Sequence, residues 1–143
     1  MPRVAGFFGF GRIARATLVR LRAFGVTRCI YVARHTASDE AALAATHGLT
    51  EVRHVDRDAL ARESDVVFVL APGGAATHHA IDEHFLRAMK RTSILVNTSR
   101  GSLVDSDALA LALHEGWIWG AALDVVEGEP KIAADHPLVR EPR

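Results

Sequence analysis

Short apolar runs alternate with helically patterned segments along the whole chain, and that alternation excludes most folds. The runs are VAGFFG (4–9), CIYVA (29–33), EVRHV (51–55), DVVFVLA (65–71), a run at 93–97, and WIWGAALDV (117–125). Between them lie helical patterns at 12–24, ending at Gly25; at 38–48, stopped by Gly48; at 56–64; near 82–90; and at 106–116, closed by Gly116. Strands separated by helices of about ten residues predict right-handed crossovers and hence a parallel sheet. The runs at 29–33, 65–71 and 93–97 are apolar at consecutive positions, as a sheet covered on both faces requires. The expectation is an α/β fold, a doubly wound parallel sheet of about six strands. Its third strand is weak, and the tail from Glu127, rich in proline and charge, is expected to be loop. On the first helix Ile13, Thr17, Leu21 and Phe24 share one face, and Arg12, Arg15 and Arg22 share the opposite one.

A chain of 143 residues is most simply one domain. Seventeen Lys and Arg balance seventeen Asp and Glu, which gives no support for a nucleic-acid partner. No apolar run approaches the roughly 18 residues of a membrane span, and the glycine-punctuated start is no signal peptide. Cys29 is the only cysteine, so no internal disulfide forms and a reducing, cytoplasmic setting is expected. Its place at a strand start fits packing better than nucleophilic chemistry.

In such folds ligands bind beyond the carboxyl ends of the strands, and three features collect there. The first is GFGRIA, from Gly9 to Ala14, which follows a strand and opens a helix. Gly9 permits the tight turn, Gly11 lets backbone approach a pyrophosphate, and the helix N-terminus offers free N–H groups to phosphate. Arg12 opposes the helix dipole, a placement that a bound anion explains. The second feature is the end of the second strand. The carboxylate that would bond a ribose 2′-hydroxyl is replaced by Ala33, followed by Arg34. That pattern suits a 2′-phosphate, so NADP is favoured and NAD is possible. The third is Arg100, a fixed cation just past the strand in ILVNTSRGSLVD. The eight histidines do not make a metal centre the preferred reading, and THHAIDEH (77–84) is expected to be a polar loop and helix start. His78 and His79 are adjacent and would point apart on a helix, and only His79 and Glu83 stand at helical i, i+4 spacing.

With these residues placed, the chain resembles the nucleotide-binding domain of the D-isomer-specific 2-hydroxyacid dehydrogenases, closest to the glyoxylate/hydroxypyruvate reductase branch. GFGRIARATLVRLRAFGV, DVVFVLAPGGAATHHAI, MKRTSILVNTSRGSLVDSDALALAL and GAALDVVEGEPKIAADHPL carry the resemblance in order. It implies that Arg12 and Ile13 meet the pyrophosphate and that Arg34 lies beside the ribose-reading position. Ala71, Pro72 and Thr77 fall on the adenosine and ribose side. Thr98 and Ser99 lie beside the nicotinamide, and Asp124 falls where its carboxamide is held. Arg100 matches the substrate-binding arginine, counted also with the cofactor contacts, and Glu129 matches the glutamate that orients a catalytic histidine. Glu127 is out of register for that role. The resemblance also implies a small 2-oxo or 2-hydroxy acid as substrate and a homodimer. Neither the family's histidine nor its substrate domain has a counterpart in 1–143, so the chain is expected to be a fragment, incomplete for catalysis. The alternative is a non-catalytic dinucleotide-binding or interaction module of the co-repressor type.

Overall fold

The computed structural model describes residues 3–142. Six strands, β1 (Val4–Phe8), β2 (Arg28–Val32), β3 (Glu51–His54), β4 (Val66–Val69), β5 (Ile94–Asn97) and β6 (Gly120–Leu123), form one sheet of order β3-β2-β1-β4-β5-β6. Every pairing is parallel. The sheet is therefore the doubly wound type that the alternation predicts, with the weak third strand present at one edge.

Residue alternation splits the core in two. On one face Ala5, Phe7, Cys29 and Tyr31 pack with Ala14 and Leu18 of α1 (Arg12–Leu21), and with Leu43 and Ala44 of α2 (Glu40–His47). On the other, Val4, Phe8, Ile30 and Val67 meet α3 (Arg57–Glu63), α4 (Glu83–Ala88) and α5 (Ser106–His114). These three helices start alike. Asp56, Asp82 and Asp105 each accept an amide N–H three residues on, at 2.7, 2.9 and 3.1 Å. An N-terminal carboxylate both fills an orphan donor and complements the helix dipole. Cys29 is fully buried, and burial pushes its thiol up to about 12, so it stays a packed, protonated thiol.

Four local expectations need correction. Of the face that holds Ile13, Thr17, Leu21 and Phe24, only Leu21 packs against the core among the apolar residues, since Ile13 is 68% and Phe24 65% exposed. Ala14 and Leu18 face the strands, because a small residue is needed where α1 crosses close over the sheet. The α-helix also ends at Leu21 and tightens into a 3₁₀ turn at Arg22–Phe24. The last strand begins at Gly120 rather than at 117. Residues 117–119 turn first, with Trp117 N–H on the Ala112 carbonyl and Trp119 N–H on that of Ser93. Finally, the tail holds a short helix, α6 (Pro137–Arg140), which His136 caps by accepting the Leu138 N–H.

Asp65 clips the amino ends of β1 and β4 to the turn that follows α4. One carboxylate oxygen accepts the amides of Arg3 and Val4 at 2.9 and 3.0 Å, and the other accepts Lys90 Nζ at 2.7 Å. Burial pushes its pKa up, but Lys90 and the two amides outweigh that and hold it below the usual carboxylate range. Its contribution is thus complete above the pKa of an unfolded aspartate and fades as pH falls through the lowered one. Asp65→Asn is expected to cost about 2 kcal/mol at pH 7, with the gap from wild type closing towards pH 3. Urea melts at the two pH values check both numbers.

Candidate dinucleotide and anion site

The carboxyl ends of β1, β2 and β4 open onto a groove of about 800 Å³. Gly9, Gly11, residues 32–35 and residues 71–77 line it. Gly9 has φ +96°, and a Cβ there would sit 2.6 Å from the Ala71 N, so only glycine lets the end of β1 pass that close to the chain leaving β4. Gly11 caps α1 with no side-chain bond, and a Cβ on it would meet nothing within 4 Å. The first amides of α1 thus face open space with no side-chain acceptor, the donor set that a phosphate takes. This cradle fits a dinucleotide pyrophosphate.

At the β2 end Ala33 and Arg34 border the groove, with His35 beside them. Arg34 and His35 are exposed, and their side chains bond nothing among the described residues. On the β4 side Thr77 Oγ1 donates to the Pro72 carbonyl at 2.7 Å and so fixes the curve of 72–77.

A second cavity, about 570 Å³, adjoins the first through Ala71, Pro72 and Gly73 and is closed by Ser99, Arg100 and Ser102. The stem of Arg100 packs over Gly73, whose added Cβ would be 3.1 Å from Arg100 Cγ. Its guanidinium makes one bond, from Nη1 to the Ser99 carbonyl at 2.8 Å. The remaining N–H groups are left for a ligand oxygen.

Asn97, which the sequence reading did not single out, shapes this corner. It is 1% exposed at the end of β5, accepts the Ser99 amide at 3.1 Å and donates to the Arg100 carbonyl at 3.0 Å. The one available signal was a polar residue ending a buried apolar run.

Other expected residues stand near but outside the two cavities. Arg12 and Ile13 are exposed at the start of α1. Thr98 is exposed just past β5, and Asp124, just past β6, donates its amide to the Asn97 carbonyl at 3.0 Å. Glu129 is exposed and accepts the Val126 amide at 2.9 Å.

The stretch 77–84 is the polar loop and helix start expected of it, with α4 beginning at Glu83, but the histidine pair within it is arranged in its own way. Residues 78 and 79 follow a 3₁₀ turn, Ala75–Thr77, rather than riding a helix, and His79 takes φ +49°. Their rings therefore stack at 3.8 Å instead of pointing apart. His79 does not meet Glu83, which pairs with Arg87. Its Nε2 meets Glu127 Oε2 at 2.8 Å, and its amide donates to the Ser102 carbonyl. His78, His79 and Glu127 bring ligand atoms within 4.8 Å of one another. The two ring planes lie 19° apart.

A glycine turn under a free helix N-terminus, a groove across the strand ends and a basic β2 end together define a dinucleotide-binding α/β domain. The profile of the D-isomer specific 2-hydroxyacid dehydrogenase NAD binding domain matches residues 2–143, and the chain belongs to that family. The glyoxylate reductase of Thermofilum pendens is 41% identical over 138 residues, which are 96% of this chain and 39% of that protein. The chain thus spans about two fifths of the length of that relative. Among solved structures, the NADPH-dependent glyoxylate/hydroxypyruvate reductase of Sinorhizobium meliloti, in complex with NADP and malonate, is 38% identical with a TM-score of 0.78. The match covers 92% of this chain and 38% of that one. The NAD-complexed D-isomer specific 2-hydroxyacid dehydrogenase of Lactobacillus delbrueckii is 30% identical with a TM-score of 0.75, covering 87% and 35%. No helix among the described residues is long and apolar enough to cross a membrane.

Proposed function

We propose that residues 1–143 form the dinucleotide-binding domain of an oxidoreductase that moves a hydride between NADPH and a small 2-oxo acid, glyoxylate or hydroxypyruvate. One observation carries this reading. The groove suited to the dinucleotide runs, through Ala71 to Gly73, straight into the cavity of Arg100. A cationic fork next to the redox end of a nicotinamide cofactor is what a substrate with a carboxylate beside its carbonyl requires. The names of the Thermofilum and Sinorhizobium relatives agree with it.

The bound nicotinamide supplies or accepts the hydride. Gly9, Gly11, Arg12 and Ile13 hold the pyrophosphate side, and Ala71, Pro72 and Thr77 the adenosine and ribose side. Thr98, Ser99 and Asp124 flank the nicotinamide. Arg100 grips the substrate carboxylate bidentately and polarises the carbonyl oxygen. Glu129 orients the histidine that the resemblance implies outside 1–143, and its negative charge keeps that imidazole protonated until it yields a proton. Pairing of two copies and a cytoplasmic setting belong to the same proposal. No observation favours the co-repressor alternative.

Arg34, with no carboxylate at Ala33, underlies the preference for NADPH. One charge-assisted contact is worth about 1.5–3 kcal/mol, so NADPH is expected to bind roughly tenfold or more tightly than NADH. Fluorescence titration of residues 1–143 with each cofactor tests this. Equal or tighter NADH binding removes the preference, and binding of neither overturns the domain's assignment.

A further inference from the structure

The loop that carries Arg34 is held from behind by a residue of the next strand. His54 ends β3, paired in register with Tyr31 of β2. Its imidazole meets the 33–37 loop at two points, with Nε2 2.9 Å from the Ala33 carbonyl and Nδ1 3.0 Å from Thr36 Oγ1. A carbonyl only accepts, so Nε2 donates to Ala33, while Nδ1 pairs with the threonine hydroxyl, which can both donate and accept. The backbone of His54 is itself anchored, its amide donating to Glu40 Oε1 at 2.9 Å. The same carboxylate oxygen accepts Tyr31 Oη at 2.6 Å, and Tyr31 Oη accepts the Ala37 amide at 2.7 Å. Burial and then Glu40 push the Tyr31 hydroxyl up to about 12, so it remains a donor throughout the usual pH range. Ala33, Thr36 and Ala37 are thus pinned, and the two residues between the pins, Arg34 and His35, are the ones that border the groove unbonded.

Two bonds from one ring to the two sides of a short loop fix its shape before any ligand arrives. A loop ordered in advance loses little freedom on binding, and the gain falls on whatever ligand group the loop faces. Only the 2′-phosphate distinguishes NADPH from NADH. We propose that His54 is a positioning residue for dinucleotide choice, acting through the 33–37 loop and not by touching the cofactor. This rests on the dinucleotide reading above.

The test compares dissociation constants of NADPH and NADH, with 2′,5′-ADP as a third probe, for wild type, His54→Ala and His54→Gln. His54→Ala is expected to weaken NADPH and 2′,5′-ADP about tenfold while changing NADH less than twofold. Near-unchanged NADH binding also shows that the variant is folded. His54→Gln, which offers a donor to Ala33 and an acceptor to Thr36, is expected to recover part of the NADPH loss. The inference fails if the ratio of the two affinities is the same in His54→Ala as in wild type, whichever cofactor wild type prefers. A wild-type chain that binds neither dinucleotide overturns the underlying reading and this inference together.

Discussion

Arg100→Lys is expected to lower kcat/KM for glyoxylate about a hundredfold or more while leaving NADPH affinity nearly unchanged. The charge survives the substitution, but the planar fork does not. Arg100 spends one N–H on the Ser99 carbonyl and packs its stem over Gly73, so its remaining donors are held in a fixed direction over the second cavity. A lysine ammonium on a flexible stem has no such preset geometry. Losing a preorganised donor to a developing oxyanion costs on the order of 3 kcal/mol, hence the factor. The measurement belongs in a chain carrying the segments that the relatives have beyond this one, with NADPH affinity titrated in parallel. Near-normal turnover in the variant would remove Arg100 from the reaction.

Gly101→Ala is expected to cost about 3 kcal/mol or more of stability, and Gly11→Ala almost none. A Cβ on Gly101 would sit 2.2 Å from the Val126 carbonyl carbon and 2.3 Å from the Glu127 N. Those are backbone atoms, so relief requires moving either the segment after Arg100 or the one that leads to Glu129. At Gly11 an added Cβ meets no atom within 4 Å, because the space above it is the groove. Gly11→Ala should therefore melt like wild type and yet bind dinucleotide more weakly. Thermal melts and NADPH titrations of the two variants check the pair. A stable Gly101→Ala would show that the two segments do not constrain each other.

The regular features were legible because they depend on local chemistry. The glycine turn, the glycines that stop the helices and the alternation of short apolar runs all determine structure within a few residues. What escaped depends on partners distant in sequence. Trp117 and Trp119 have the composition of a strand, but the Trp117 amide turns back to the Ala112 carbonyl, and the register with β5 opens at Ile94, opposite Gly120. Ile13 suits a helix face, but in the first turn of α1 it stays largely exposed. His79 and Glu127 are 48 residues apart and meet because β6 returns beside β5. Asn97 and His54 are single polar residues at strand ends, and their partners become apparent only once the connecting loops have been folded back over the sheet.

The sheet order carries a consequence for the chain as it is made. Of the six strands β1 is made before the others, yet it occupies an interior position between β2 and β4. Its pairing with β2 joins Gly6 to Ile30, while its other flank waits for Val66 to meet Ala5. At about 5–20 residues per second, synthesis of that interval takes roughly 3–12 s. Throughout it one edge of β1 is bare and Phe8, which ends in the core beneath α3 to α5, has no cover. The newborn chain thus spends seconds as an adhesive half-sheet, long enough for a chaperone, or for another nascent chain, to reach it before β4 does.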